Sequence, residues 1–203
     1  MEFGHDTGFG GRTPMSELHV TIETKIPDEH IDMFYRLYER EFGALRTKAI
    51  ARQVLHAEEF REEMVDPRVH KHVARTGTGE PIGVTTLTRH LATVPWISPE
   101  YFAARYPEHA ARDAIYYAGF TVVASTARQG AAFHAMIESV VRVLVAERAT
   151  VGWDICSYNN ARFSFADSIR AVLDEQANVE IAVEDSQTYY AARFTGDGAT
   201  KGG

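Results

Sequence analysis

Residues 120–145 constrain the fold of this chain more than any other stretch. They open with a β-branched run, Thr121, Val122 and Val123, which predicts a buried strand. A short polar turn holding Arg128, Gln129 and Gly130 follows. Phe133, Ile137, Val140, Val141 and Leu144 then recur at helical spacing and make one apolar face. A strand, a turn of small residues and a helix in this order aim unpaired backbone N–H groups outward. Those donors lie at the positive end of the helix macrodipole, where an anion is held. Ala131 and Ala132 are small enough to let a phosphate approach the backbone. The same order also makes a plain strand–turn–helix packing unit, and a single glycine does not separate the two.

At 203 residues the chain is long enough for one domain with a full core. Its formal charge of −7 supplies no basic field, so no nucleic-acid partner is expected. The single cysteine, Cys156, excludes an intramolecular disulfide and a cysteine-rich zinc site. No apolar run approaches the ~18 residues of a membrane span. No basic segment precedes an apolar one at the start, so a cytoplasmic location is the default expectation.

Residues 1–17 read as a flexible, glycine-rich extension, with Met15 as a second candidate start. Leu18, Val20 and Ile22 alternate with polar residues, as in a strand. Pro27 and Asp28 open a helix with Ile31, Phe34, Tyr35, Tyr38 and Phe42 inside and Arg36, Glu39 and Arg40 outside. Gly43 breaks it, and helical propensity resumes until Asp66-Pro67. Residues 69–75 and 82–89 flank a glycine-rich turn and predict a hairpin. His70 and His72 share a face of its first strand, but two histidines without a third ligand are more often solvent-facing, and no metal is assigned. An aromatic insertion follows, with Trp96, Tyr101, Phe102 and Tyr106 and a helix start at Ser98-Pro99. It either staples a loop to the core or lines a substrate pocket. Beyond the central strand, from Ala114, and its helix, residues 150–157 predict a fifth strand. Tyr158, Asn159 and Asn160 form a turn and cap. A helix with Phe163, Phe165, Ala166, Ile169 and Val172 comes next, and residues 179–183 and 188–194 predict two final strands. Residues 18–194 make the domain and 195–203 a disordered tail.

This order, β-α-α-β-β-β-α-β-α-β-β, resembles the GNAT superfamily of N-acyltransferases. The resemblance implies a single α/β domain, with a central mixed, mostly antiparallel sheet and helices on both faces. In that family a loop of the pattern Arg/Gln-x-x-Gly-x-Gly/Ala follows the fourth strand and binds the pyrophosphate of coenzyme A. The fourth and fifth strands splay, and the pantetheine arm lies between them. Val122 and Val123 match the strand end, and Arg128, Gln129, Gly130, Ala131 and Ala132 match the loop. With Arg128 as the leading arginine, Ala131 replaces the first glycine. With Gly130 as that glycine, Ala127 replaces the leading residue. Asn159 or Asn160 fits an asparagine found after the fifth strand, and Asn160 is taken as cofactor-binding. The family's acid tyrosine, about seven residues on, is absent; Ala166 and Asp167 stand there. The long insertion resembles the branch of acyl-homoserine-lactone and N-acyl amino acid synthases. The resemblance thus implies acyl transfer from acyl-CoA, acetyl-CoA or acyl carrier protein to a small-molecule amine. The competing expectation is a non-catalytic module of the same fold that binds a ligand or partner. The assembly state is left open, a homodimer included.

Acyl transfer from a thioester needs a neutral amine, a stabilised oxyanion and a departing thiolate. Backbone N–H groups on a splayed or bulged fourth strand meet the second need, and Val123 is the candidate donor. Tyr117, on the same strand parity as Val123, and Asp154, a carboxylate in an otherwise apolar run, are the catalytic candidates. Their plainer roles are a strand aromatic and a structural ion-pair partner. Cys156, with no histidine near it in sequence, reads as an inert buried thiol.

Overall fold

The computed structural model describes residues 18–51, 54–124, 129–163 and 165–193. The N-terminal extension, the tail and Arg128 lie outside the described residues. In chain order the elements are β1 (His19–Glu23), α1 (Asp28–Phe42), a 3-10 turn (Gly43–Thr47), α2 (Ala57–Val65), β2 (Val69–Arg75) and β3 (Pro81–Thr88). A second 3-10 turn (Leu91–Thr93), α3 (Pro99–Arg105) and α4 (Pro107–Ala111) make the insertion. The chain continues as β4 (Ile115–Val123), α5 (Gln129–Ala146), β5 (Thr150–Gly152), α6 (Ser157–Phe163) and α7 (Phe165–Gln176).

The strands lie in the order β1-β2-β3-β4-β5 in one mixed sheet. The first four are antiparallel neighbours, and β5 joins β4 in parallel. Alternation along the strands divides the core between two faces. Val73, Val84 and Val122 pack against Ile31, Phe34 and Tyr38 of α1 and Phe60 and Met64 of α2. Ala74, Ile82 and Val123 pack on the opposite face against Ala132 and Met136 of α5, and Leu87 and Tyr116 meet Val140 there. The fold is therefore a single α/β domain with helices on both faces. Burying each large apolar side chain in these layers contributes about 1.5–3 kcal/mol.

A β-bulge interrupts β4. Thr85 pairs with Thr121 and Leu87 with Ala118, so Gly119 and Phe120 together oppose Thr86. The extra residue reverses the alternation along the strand. Phe120 turns into an aromatic cluster under α1 and α2, 4.9 Å from Tyr38 and 5.3 Å from Phe60 between ring centroids. Ala118 and Tyr116 face α5. Tyr117 consequently faces away from α5 while Val123 faces toward it, against the shared parity expected from a regular strand.

Three further expectations are corrected. The fifth strand ends at Gly152 and not near Ser157, so Asp154 and Cys156 lie in irregular chain beyond it. Phe102 sits where a side chain at 152 would project, 2.7 Å from an ideal Cβ, so the position requires glycine. Tyr158, Asn159 and Asn160 lie inside α6 and do not form a turn. Residues 178–193 carry neither helix nor strand. Their alternation still half-buries Val179 and Ile181, but the three-residue β5 offers too short an edge for them to pair with. Glu184 fixes this segment instead: its carboxylate accepts from Tyr106 Oη at 2.6 Å, Arg105 Nε at 3.0 Å and Tyr101 Oη at 3.2 Å.

Candidate active site

β4 and β5 pair only over Ile115–Thr150, Tyr116–Val151 and Tyr117–Gly152. β4 then continues to Val123 while the chain after Gly152 turns away toward α6. An opening thus forms along the outer edge of β4 from Tyr117 onward. The ladder with β3 determines what faces it. Ala124 N–H donates to Ile82 O at 2.7 Å, and Val123 lies opposite Gly83. Successive residues of an antiparallel strand direct their N–H and C=O groups to alternate sides, so those of Val123 point away from β3 and toward the opening. Arg40 of α1 reaches the same edge, where its Nη2 donates to Val123 O at 3.2 Å. The apolar face of α1 leaves Arg40 outside in a helical projection, and only the packing of α1 on the sheet brings it to the strand end.

At the near end of the opening the two residues singled out as catalytic come together. Tyr117 Oη donates to Asp154 Oδ1 at 2.6 Å. Trp96 Nε1, from the insertion, donates to the same oxygen at 3.2 Å. Tyr117 is 3 % exposed, whereas Asp154 is exposed to solvent. Burial, followed by the neighbouring Asp154 carboxylate, pushes the Tyr117 phenol far above its ordinary range. Tyr117 therefore stays protonated at neutral pH and acts as a donor. Among the described residues both hydrogen bonds to Asp154 go to Oδ1 and none to Oδ2. Phe102 closes one side, edge-on to Tyr117 with ring centroids 6.3 Å apart. The aromatic insertion both packs on the core and lines this site, through Phe102 and Trp96 respectively.

The candidate anion-binding residues lie at the far end. α5 begins at Gln129. Gly130 and Ala131 are exposed, and nothing stands within 4 Å of where a Gly130 side chain would project. Ala132 is buried against Val123 and Met136, which fixes the helix start to the end of β4. Val122 faces α1 and is buried. Asn160 is exposed, and its Oδ1 accepts from Ala166 N–H at 3.2 Å, joining α6 to α7. Among the described residues no group of three or more His, Cys, Asp or Glu side chains is placed to hold a metal. His72 is buried and bonded through Nδ1 to Ser139 Oγ at 2.8 Å, and is not solvent-facing. No helix among the described residues is long and apolar enough to cross a membrane.

No protein-family model and no curated protein matches this chain. Solved structures similar to it include three acetyltransferases. One is an aminoglycoside acetyltransferase from an uncultured soil metagenomic sample in complex with sisomicin, with a TM-score of 0.47, 12% identity, and coverage of 87% of this chain and 97% of that one. Another is the ribosomal-protein-alanine N-acetyltransferase of Brucella melitensis biovar Abortus 2308, with a TM-score of 0.46, 12% identity, and coverage of 88% and 100%. The third is the aminoglycoside N-acetyltransferase AAC(6')-Iy in complex with CoA, with a TM-score of 0.46, 13% identity, and coverage of 85% and 95%.

Proposed function

We propose that this chain is an N-acyltransferase that moves an acyl group from acyl-CoA, acetyl-CoA or an acylated carrier protein to a small-molecule amine. The observation that carries this reading is the Tyr117–Asp154 pair at the point where β4 and β5 part, with the Val123 N–H directed into the same opening. Asp154 binds the acceptor ammonium through Oδ2 and takes its proton, while Tyr117 and Trp96 hold its Oδ1. The neutral amine forms the C–N bond to the acyl carbon, the C–S bond breaks, and the departing thiolate takes up the proton that the new amide nitrogen gives up. The Val123 N–H donates to the carbonyl oxygen as negative charge gathers on it, and a donor already fixed by the strand needs no reorganisation to do so. The open edge of β4 fits the amides of a pantetheine arm. Arg128, Gln129, Gly130, Ala131 and Ala132 would hold the pyrophosphate, with Asn160 beside the arm.

The test is acyl transfer from acetyl-CoA, longer acyl-CoAs and an acylated carrier protein to primary amines, with Asp154→Asn and Tyr117→Phe as variants. Loss of a charged hydrogen bond at the reacting amine predicts a fall in kcat/KM of about ten- to a hundred-fold for each. No turnover, together with no thermal stabilisation by any donor, would leave the protein as a non-catalytic binding module.

A further inference from the structure

The opening along β4 holds a cation as well as backbone groups. Arg40, in the last turn of α1, extends to the outer edge of β4, where its Nη2 donates to Val123 O at 3.2 Å. Its Nε donates to Glu41 Oε1 at 2.8 Å, and its Nη1 is bonded to no described residue. The pair with Glu41 is open to solvent, with side chains 45% and 42% exposed, and such a pair holds its members only weakly. A basic residue in the last turn complements the helix macrodipole, but that needs only a charge near the helix end. It does not require a guanidinium set on a strand carbonyl 83 residues further along the chain.

The position of the guanidinium is fixed relative to Val123. The N–H and C=O of one extended residue leave the strand on the same side, about 3 Å apart. Arg40, on the carbonyl, is therefore beside the N–H that receives the thioester oxygen in the acyltransferase reading. The Val123 carbonyl has two lone pairs, so one remains for an amide of the donor's arm. An acyl group whose carbonyl oxygen takes the Val123 N–H begins next to the guanidinium. An acetyl group offers that cation nothing. A carboxylate two or three methylenes further along the acyl chain presents two oxygens, in the planar geometry that an arginine fork matches.

We propose that Arg40 is a specificity-determining residue for the donor, and that the preferred acyl group is a dicarboxylic one, a thioester at one end and a free carboxylate at the other. This inference rests on the reading of Val123 as the N–H that binds the thioester. Arg40 binds the free carboxylate through Nη1 and Nη2 while the Val123 carbonyl holds the guanidinium in place.

The experiment is calorimetric titration of the full chain, without an acceptor, using matched CoA thioesters: succinyl-CoA against butyryl-CoA and glutaryl-CoA against valeryl-CoA. The members of each pair have the same chain length and differ in the terminal carboxylate. In the wild type the carboxylate-bearing member of at least one pair should bind about ten-fold more tightly. Arg40→Gln should abolish that preference, and Arg40→Lys, which keeps the charge without the fork, should retain part of it. Equal affinity within both pairs in the wild type, or a preference that survives Arg40→Gln, overturns the proposal. An equal loss for all four thioesters in Arg40→Gln overturns it as well, because Arg40 then only supports the edge of β4. Butyryl-CoA binding without any preference for the carboxylate overturns this proposal and leaves the acyl-CoA reading standing. Failure of the wild type to bind any of the four overturns both.

Discussion

His72 gives a stability prediction whose size follows from its surroundings. It lies on β2, facing α5, and is fully buried. Its Nδ1 is bonded to Ser139 Oγ, and its Nε2 has no partner among the described residues. Burial, then the nearby charges of His70 and Arg142, depress its pKa from 6.5 to about 4. Above the unfolded value both states hold a neutral ring, and the group has no effect on stability. As pH falls below 6.5 the unfolded chain takes up a proton that the folded ring refuses, so stability is lost until the folded value near 4 is passed. The full loss is about 3 kcal/mol, of which about 2.5 kcal/mol is gone by about pH 4.5. Other groups begin to lose stability at the acid end of this range, because Asp66 and Glu147 are depressed by hydrogen bonds from Arg68 and from Tyr116 and Arg89. The assay is therefore a comparison. Urea unfolding of wild type and His72→Gln is measured at about pH 7.5 and about pH 4.5, and the wild type should lose ~2.5 kcal/mol more than the variant between them. Equal losses in the two proteins, or an NMR titration of the His72 ring with a midpoint near its unperturbed value, would refute the reasoning.

Two further substitutions probe the frame of the site. Gly119→Ala places a methyl group 2.2 Å from Thr86 Oγ1, and chemical denaturation should show a cost of about 1–3 kcal/mol that Thr86→Ala largely relieves; an additive double mutant would mean the clash is absorbed elsewhere. Glu184→Gln removes the carboxylate charge that Tyr101, Arg105 and Tyr106 share, so limited proteolysis should cut residues 178–193 faster while the melting temperature of the domain changes little; an unchanged cleavage rate would show that Val179 and Ile181 hold the segment without it.

The pattern of apolar residues was enough to place most elements. Spacing of 3.6 predicted α1 from Ile31, Phe34 and Tyr38 and the long helix α5 from Phe133 to Leu144. Alternation and turn glycines predicted the β2–β3 hairpin, and Ser98-Pro99 the start of α3, where Ser98 Oγ accepts from Tyr101 N–H at 3.2 Å. These are local properties, because the period of a segment states which side of it is buried. Asp154 could be singled out for the same reason, because a carboxylate in an apolar run stands out against the pattern around it; Tyr117 was chosen for a parity with Val123 that the bulge breaks.

What the pattern could not decide is which edges meet. Two alternating segments at the C-terminus read as strands, but a strand needs a neighbouring edge. β5 is only three residues long, and neither segment pairs with it. The face on which Tyr117 lies depended on one inserted residue. Gly119 within an apolar strand was its only local sign, and the aromatic cluster that draws Phe120 under α1 and α2 is assembled from three separate elements. The packing of α1 brings Arg40 to Val123. Those placements depend on contacts between residues far apart in the chain, so the sequence determined most of the helices and strands and the sides they bury, while tertiary packing alone decided where strands stop, which alternating segments pair, and which face each side chain reaches.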